Sequence, residues 1–291
     1  MGKIDSIKST MARWLRSCPF WVLVALIIGF LIFNAFIAGP KVGIIKISDI
    51  SLDPWDAPKV VQMIKYAEET DAIKAVVIEI DCTGGGAVST EEVYLNILRL
   101  REKKPVVAYI NLWSLSGGYY IAVASNFIYA KPTSQVGSVG VWVSLPPEQE
   151  KLYEDVMGSG PHKTVTPRRD VVNWLEMVKE SFLTVVISQR GDRLKISKEE
   201  LSKAAIYIGM EALRHGLIDD IGSSSDAVKK AAELAGIKRY GRVDINKELD
   251  LLPPWYEQVW AFEDRASLEP KTLKSPADRL PMFYYLHEAP R

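Results

Sequence analysis

Ser116 has the sequence context with the clearest potential for chemistry. An apolar stretch typical of a strand, 106–110, precedes it, and an apolar segment typical of a buried helix, 118–124, follows. A serine at such a step can cap the helix N-terminus, or it can act as a nucleophile. Gly117 and Gly118 leave room for another backbone, and the first N–H groups of the helix would face an anion formed beside the hydroxyl. Both interpretations are open at this point.

A nucleophilic serine needs a base, and the three histidines lack a suitable context. His162 lies in a loop, His215 ends a predicted helix and His287 is in the C-terminal tail. Lysine is the alternative, because burial beside apolar groups lowers its pKa towards working pH. Lys163, in the polar loop 158–169, is the candidate, although a solvated loop lysine is the more ordinary interpretation of that residue alone.

A second glycine-rich turn, 84–86, follows the strand before that of Ser116. In an open α/β sheet, turns of this kind lie at the carboxyl edge, where ligands bind. The N–H of Gly117 and that of Gly85 could therefore form an oxyanion hole. A phosphate cradle is the other interpretation, but the sequence contains neither GxxxxGK nor GxGxxG.

The elements that would position these residues alternate between strands and helices, which predicts an α/β domain with largely parallel pairing. Predicted strands cover 42–47, 73–80, 106–110, 127–130, 137–143 and 242–245, and the main predicted helices cover 57–69, 90–102, 171–190 and 225–234. The unbroken apolar run 75–78 predicts a strand buried on both faces. Ser89 followed by Glu92 predicts a capping box at the start of helix 90–102.

The N-terminal region predicts a single transmembrane anchor. Residues 1–19 are polar and basic, and residues 20–39 contain no charge and are long enough to span a bilayer as a helix. A cleavable signal peptide is the rival interpretation, but its apolar region is usually shorter. The basic flank predicts that the N-terminus is cytoplasmic and that residues 40–291 lie on the extracytoplasmic side.

Composition argues against several classes of partner. The 291 residues carry a formal net charge of zero without a dense basic run, which disfavours nucleic-acid binding. The histidines and the two cysteines, Cys18 and Cys82, show no metal-ligand spacing, so neither a metal nor another cofactor is expected. Residues 250–291 form an aromatic and proline-rich appendage that could pack on the domain, on a neighbouring subunit or at the membrane interface.

Several segments, in order along the chain, resemble the signal peptide peptidase A family of membrane-anchored serine proteases. They are Asp81-Cys-Thr-Gly-Gly-Gly-Ala87, Ser116-Gly-Gly-Tyr-Tyr120, Gly137-Ser-Val-Gly140, Ser159-Gly-Pro-His-Lys-Thr164 and the run from Ala212 to Gly222. The resemblance covers about residues 41–240 and the anchor. It implies a Clp/crotonase-like fold of repeated β-β-α units over 40–249, preceded by the transmembrane helix 20–39.

The resemblance also implies roles for individual residues. Ser116 and Lys163 would form a Ser/Lys dyad, Ser138 would orient the lysine amine, and Gly85 and Gly117 would form the oxyanion hole. The implied activity is endopeptidase cleavage of residual signal peptides or other membrane-associated peptides. The family further implies a homo-oligomer, attached to the lipid bilayer through residues 20–39.

The sequence departs from the family at the first turn, where Asp81 replaces an asparagine and Thr83 a proline. The Asp81 carboxylate could influence Lys163 or face away from it. Two other functions are compatible with the same segments. One is a catalytically inactive assembly scaffold, and the other is a crotonase-type acyl-CoA enzyme that holds a thioester carbonyl between the two turns.

Overall fold

A mostly parallel sheet organises the part of the chain that the structure describes. The structure, a computed structural model, describes residues 18–32, 39–48, 52–144, 159, 167–249 and 283–286. The strands are β1 Lys41–Ile47, β2 Ile73–Cys82, β3 Gly84–Gly86, β4 Val106–Leu115, β5 Phe127–Ala130, β6 Gln135–Gly137, β7 Trp142–Val143, β8 Ile206–Ile208, β9 Asp220–Ile221, β10 Gly241–Asp244 and β11 Phe283–Leu286. The helices are α1 Cys18–Ile32, α2 Ala57–Glu69, α3 Ala87–Lys103, α4 Gly117–Ala122, α5 Arg168–Arg190, α6 Lys198–Leu201, α7 Gly209–Arg214, α8 Ser224–Leu234 and α9 Ile245–Glu248.

These strands form two sheets of different character. Within the described ranges, an eight-stranded sheet has the order β10-β1-β2-β4-β5-β9, with β6 paired to β4 and β8 paired to β6. All of its pairs are parallel except β6 with β8. A small antiparallel sheet has the order β3-β11-β7. The predicted α/β class with parallel pairing is confirmed.

Helices cover both faces of the large sheet, but unequally. On one face, the strands pack with α2, α3, α4 and α5 in the main apolar core. On the other face, α8 and the residues that follow it cover a smaller cluster. β2 contributes to both, because Ala75 and Val77 face α8 while Val76 and Ile78 enter the main core. The predicted burial of residues 75–78 on both faces is therefore confirmed, and each fully buried valine or isoleucine contributes about 1.5–3 kcal/mol.

A buried ion pair fixes the C-terminal end of α5 to the edge of the large sheet. The guanidinium of Arg190 donates to both carboxylate oxygens of Asp219, at 3.0 and 2.9 Å, and its Nε donates to the carbonyl of Gly216 at 2.8 Å. The two side chains are only 2% and 7% exposed. Asp219 also accepts the N–H of Ile128, which ties the pair to β5.

Two expectations about local structure are wrong. Helix α3 begins at Ala87, directly after Gly86, so Ser89 lies in its first turn and the predicted capping box does not form. The expected strand 137–143 is interrupted, because Ser138 adopts a φ of 53° immediately after β6. The chain then changes direction, and β7 pairs in the small sheet rather than the large one.

At the N-terminus, α1 is a 15-residue apolar helix. Of the helices that the structure describes, none has both the length and the apolarity required to cross a membrane. The expected span 20–39 extends beyond α1 into residues 33–38, which lie outside the described residues.

Candidate active site

Ser116 connects β4 to α4 in a strained backbone conformation, with φ 50° and ψ −118°. Its N–H donates to the carbonyl of Gly137 at 2.8 Å, and its Oγ lies 3.4 Å from the carbonyl oxygen of Gly140. The serine stands at the N-cap position of α4, but its side chain makes no capping hydrogen bond, so the capping interpretation is wrong. A non-glycine residue held at positive φ costs free energy that surrounding structure must supply, and such residues cluster at functional sites.

The start of α4 lies against the end of β2. A Cβ placed on Gly118 would be 2.4 Å from the carbonyl oxygen of Cys82, so a larger residue cannot replace this glycine without a backbone shift. Gly117 is the first residue of α4, and the first N–H groups of a helix have no partner within it. The two glycines therefore allow the N-terminus of α4 to lie next to the connection between β2 and β3.

Gly85 lies in the middle of β3 and approaches the backbone of Leu52 closely. The N–H of Leu52 donates to the carbonyl of Gly84 at 2.6 Å, and the N–H of Gly86 donates to the carbonyl of Leu52 at 2.9 Å. A Cβ on Gly85 would lie 2.1 Å from the Leu52 carbonyl oxygen. The segment read from sequence as a glycine-rich turn is thus a short strand, packed on one side against Leu52 and paired on the other with β11.

Ser138 is the second strained serine beside Ser116. It is buried, has a φ of 53°, and donates its N–H to the carbonyl of Ala205 at 2.9 Å. Ala204 is also at positive φ, and these three are the non-glycine residues with positive φ in the described part of the chain. The three residues lie close together. Ser138 follows Gly137, whose carbonyl accepts the N–H of Ser116. On the other side, a Cβ placed on Gly140 would lie 2.8 Å from the Cβ of Ala204.

The supporting segment 204–205 was not found by sequence reasoning. In the structure α6 ends at Leu201, and the chain beyond it turns back to hold Ser138. Residues 204 and 205 are both alanine, a residue type that does not indicate a supporting role in an active site. Of the predicted set, the structure brings together Ser116, Gly117, Ser138 and Gly85. Lys163, the expected base, lies outside the described residues.

The Asp81 carboxylate connects β2 to β4. It accepts the N–H of Leu112 at 2.5 Å and the side-chain amide of Asn111 at 2.7 Å, beside the register shift after Ile80. Burial raises the pKa of the Asp81 carboxyl, and the hydrogen bonds from β4 and the charge of Lys131 partly oppose that rise. Both carboxylate oxygens therefore serve the pairing of two strands.

Across the described ranges, no group of three or more histidine, cysteine, aspartate or glutamate side chains is placed so that it could hold a metal ion. The described residues place a strained hydroxyl beside the first backbone N–H groups of α4, a combination suited to acyl transfer.

Comparison with known proteins identifies the family. A family model described as peptidase family S49 matches residues 99–238, a range that contains Ser116, Ser138 and Lys163. A putative protease of Synechocystis sp. is 31% identical over 192 residues, which cover 61% of this chain and 69% of that protein. The chain belongs to peptidase family S49. The resemblance to the signal peptide peptidase A family is confirmed at this level.

Other relatives of this S49 peptidase differ from it in length. Protease 4 of Haemophilus influenzae is 25% identical over 224 residues, and the match covers 72% of this chain but 34% of that protein. The chain thus spans about a third of that relative. A solved structure of a membrane-bound stomatin-specific protease mutant, in complex with a substrate peptide, superimposes with a TM-score of 0.46 at 20% identity, covering 72% of this chain and 89% of that one.

Proposed function

We propose that this S49 peptidase is a membrane-anchored serine endopeptidase in which Ser116 is the nucleophile and Lys163 the general base. The observation that carries the proposal is the position of Ser116, strained between β4 and α4 and adjacent to the open N-terminus of that helix. A capping serine would have no reason to adopt this conformation or to leave its capping bond unmade. Membership of a peptidase family supplies the reaction class.

The proposed reaction proceeds in two halves. Neutral Lys163 takes the proton of the Ser116 hydroxyl while Oγ attacks the carbonyl carbon of the scissile peptide bond. The N–H groups of Gly117 and Gly85 stabilise the negative oxygen of the tetrahedral intermediate. The lysine ammonium then protonates the leaving amine, and a water molecule, activated by the same lysine, hydrolyses the acyl-serine ester.

Ser138 is the proposed partner that orients the lysine amine. Its support is its location, because the carbonyl of the preceding residue, Gly137, accepts the N–H of Ser116. A strained backbone held by the carbonyl of Ala205 fixes where this serine lies. The arrangement is consistent with a site whose members are positioned by main-chain hydrogen bonds.

The proposed location is the cell membrane, with residues 20–39 in the bilayer and the peptidase domain on the extracytoplasmic side. Large apolar side chains of α1, such as Leu26 and Ile27, are exposed, as expected for a helix covered by something other than this domain. Residual signal peptides and other membrane-associated peptides are the proposed substrates.

We further propose a homo-oligomer and a Clp/crotonase-like fold. The exposure of two large apolar side chains on α5, Trp174 and Met177, supports the oligomer. The order β2-β3-α3, which is one β-β-α unit, supports the fold.

Labelling with a fluorophosphonate probe tests the dyad directly. The full-length protein in detergent would be treated with the probe, and the labelled residue would be identified by mass spectrometry. We expect label on Ser116, its loss in Ser116→Ala, and a fall of about 10³-fold or more in peptide hydrolysis for both Ser116→Ala and Lys163→Ala.

Ser114→Ala is the matched control, because Ser114 is a buried serine on β4, two residues before Ser116. Its hydroxyl has no hydrogen-bond partner among the described residues, so its removal should leave labelling and hydrolysis unchanged. Circular dichroism would confirm that each variant is folded. Absence of label on Ser116 in folded protein would overturn the proposal. Full activity of Lys163→Ala would show that Lys163 is not the general base.

A further inference from the structure

The segment 137–140, at the end of β6, presents two carbonyl groups to Ser116. The carbonyl of Gly137 accepts the N–H of Ser116 at 2.8 Å, and the carbonyl oxygen of Gly140 lies 3.4 Å from its Oγ. Because Ser116 is fully buried, the direction of its hydroxyl is set by these neighbours rather than by solvent. Contacts that fix the segment 137–140 therefore also fix the position of Ser116.

The loop between α6 and β8, residues 202–205, holds this segment at two points. At the first point, the carbonyl of Ala205 accepts the N–H of Ser138 at 2.9 Å. At the second point, a Cβ added to Gly140 would lie 2.8 Å from the Cβ of Ala204, closer than such atoms normally come. The methyl group of Ala204 therefore occupies the space beside Gly140 that a side chain there would need.

The loop 202–205 is itself anchored at both ends. Leu201, the last residue of α6, is buried in the main core, and its carbonyl accepts the N–H of Ala204 at 3.2 Å. After the loop, β8 pairs antiparallel with β6, with Ile206 opposite Gly137. A loop of four residues between a buried anchor and a paired strand has little freedom, so it can support the segment beside it.

Ala204 adopts a backbone conformation that alanine avoids. Its φ is 55°, in the region where a side chain raises the energy of the backbone and where glycine is the usual residue. Glycine at this position would relieve that strain without changing the path of the chain. The strained alanine differs from glycine only in its methyl group, and that group lies against Gly140.

From these contacts we infer that Ala204 is a positioning residue of the active site. Its methyl group limits where Gly140 can lie, and the carbonyl of Gly140 limits where the hydroxyl of Ser116 can point. Such positioning matters because a displacement of about 1 Å in a reacting group can lower a rate by about 10²-fold. The inference deepens the proposed function and rests on it, since Ser116 is the proposed nucleophile.

Two single substitutions in the full-length protein test this role. Ala204→Gly removes the methyl support and relieves the strain, so we expect kcat for a fluorogenic peptide to fall about tenfold, with KM unchanged and the melting temperature equal or higher. In Gly140→Ala the new methyl group meets that of Ala204, so residue 140 must move and kcat should fall about 10²-fold. A loss of kcat in Ala204→Gly without a loss of melting temperature distinguishes positioning from a purely structural role.

Combining the two substitutions transfers the methyl group from one side of the contact to the other. The space between the two segments is then filled again, so we expect kcat of the double variant to return to within about threefold of the original value. Ala235→Gly is the matched control, because it makes the same chemical change at the end of α8, on the other face of the large sheet. It should leave kcat unchanged.

The rate of fluorophosphonate labelling is a second measurement, and it needs no peptide. Because the probe reacts with the Ser116 hydroxyl itself, its second-order rate constant should fall in both single variants and recover in the double variant. Circular dichroism would confirm that each variant is folded. If Gly140→Ala does not fold, the result for Ala204→Gly decides by itself.

The outcomes separate this inference from the endopeptidase proposal. Full kcat and full labelling in Ala204→Gly would overturn the positioning role and leave the endopeptidase proposal standing. Losses that simply add in the double variant would do the same, since they would show that the two residues do not act through one contact. If the original protein is folded but neither active nor labelled on Ser116, the endopeptidase proposal is overturned, and the positioning role with it.

Discussion

The two sheets of the molecule are held together by different forces. The large parallel sheet has long central strands whose side chains are buried on both faces, so its stability comes mainly from apolar burial. The small sheet has very short strands and depends on main-chain hydrogen bonds, each worth a net of about 0.5–1.5 kcal/mol. Only Thr83 separates β2 of the first from β3 of the second. A sheet stabilised mainly by apolar burial and a sheet stabilised mainly by main-chain hydrogen bonds thus meet within one residue, next to the start of α4.

The largest expected loss of stability is in the large sheet. Asp219→Ala leaves the buried guanidinium of Arg190 without its carboxylate, and removing one partner of a buried ion pair costs about 3–5 kcal/mol. Urea unfolding followed by circular dichroism would measure this loss. Asp220→Ala is the control, since this neighbouring residue is exposed and its replacement should cost about 0.5 kcal/mol or less. Equal destabilisation by both substitutions would contradict the importance of the ion pair.

A smaller loss of stability, but a large loss of activity, is expected for a substitution in β3 of the small sheet. In Gly85→Ala the new methyl group would meet the Leu52 carbonyl, so β3 must shift, at a cost of about 1–3 kcal/mol. Because that shift moves a proposed oxyanion donor, we expect peptide hydrolysis to fall by about 10²-fold.

Gly86→Ala is the matched control for this prediction. Its backbone is at φ −61° and ψ 134°, and a Cβ there would make only ordinary contacts, at 3.6 Å and beyond. Its cost should stay below about 1 kcal/mol, since alanine is merely a poorer helix cap. Similar losses of activity in both variants would show that the approach of β3 to Leu52 is unimportant.

The smallest expected effect lies at the junction of the two sheets. Because burial raises the pKa of Asp81, the folded protein retains this proton to higher pH than the unfolded chain does. Ionisation of Asp81 therefore lowers the free energy of unfolding as the pH rises through the range just above the ordinary value of 3.8. Asp81→Asn does not titrate, so its free energy of unfolding should decline less over that range. Superimposable pH profiles for the two proteins would contradict this expectation.

The sequence predicted the large sheet much better than the small one. The run 75–78 predicted its own burial, because an uninterrupted apolar stretch of that length fits a strand covered on both faces. The strand 127–130 and the helices ending at Arg190 and Leu234 were found for similar reasons, since their periodicity is local. Family membership follows from ordered segments that each have a recognisable composition.

The small sheet could not be predicted, because its partners are distant in sequence. Glycine-rich residues 84–86 read as a turn, and only their pairing with Leu52 and β11 makes them a strand. Strand β6 ends where Ser138 adopts a positive φ. That conformation is held by a hydrogen bond to the carbonyl of Ala205, which is distant in sequence, so the residues around Ser138 do not predict it. The aromatic patch near residue 284 indicated a docking segment, but the residue types did not indicate where it docks.

The placement of β11 has one further consequence. In the small sheet, β3 and β7 are each paired with β11 along one edge. Without it, both would present rows of unsatisfied N–H and C=O groups, which are templates for aggregation with other chains. The C-terminal strand therefore protects the edges of two short strands from pairing with other chains.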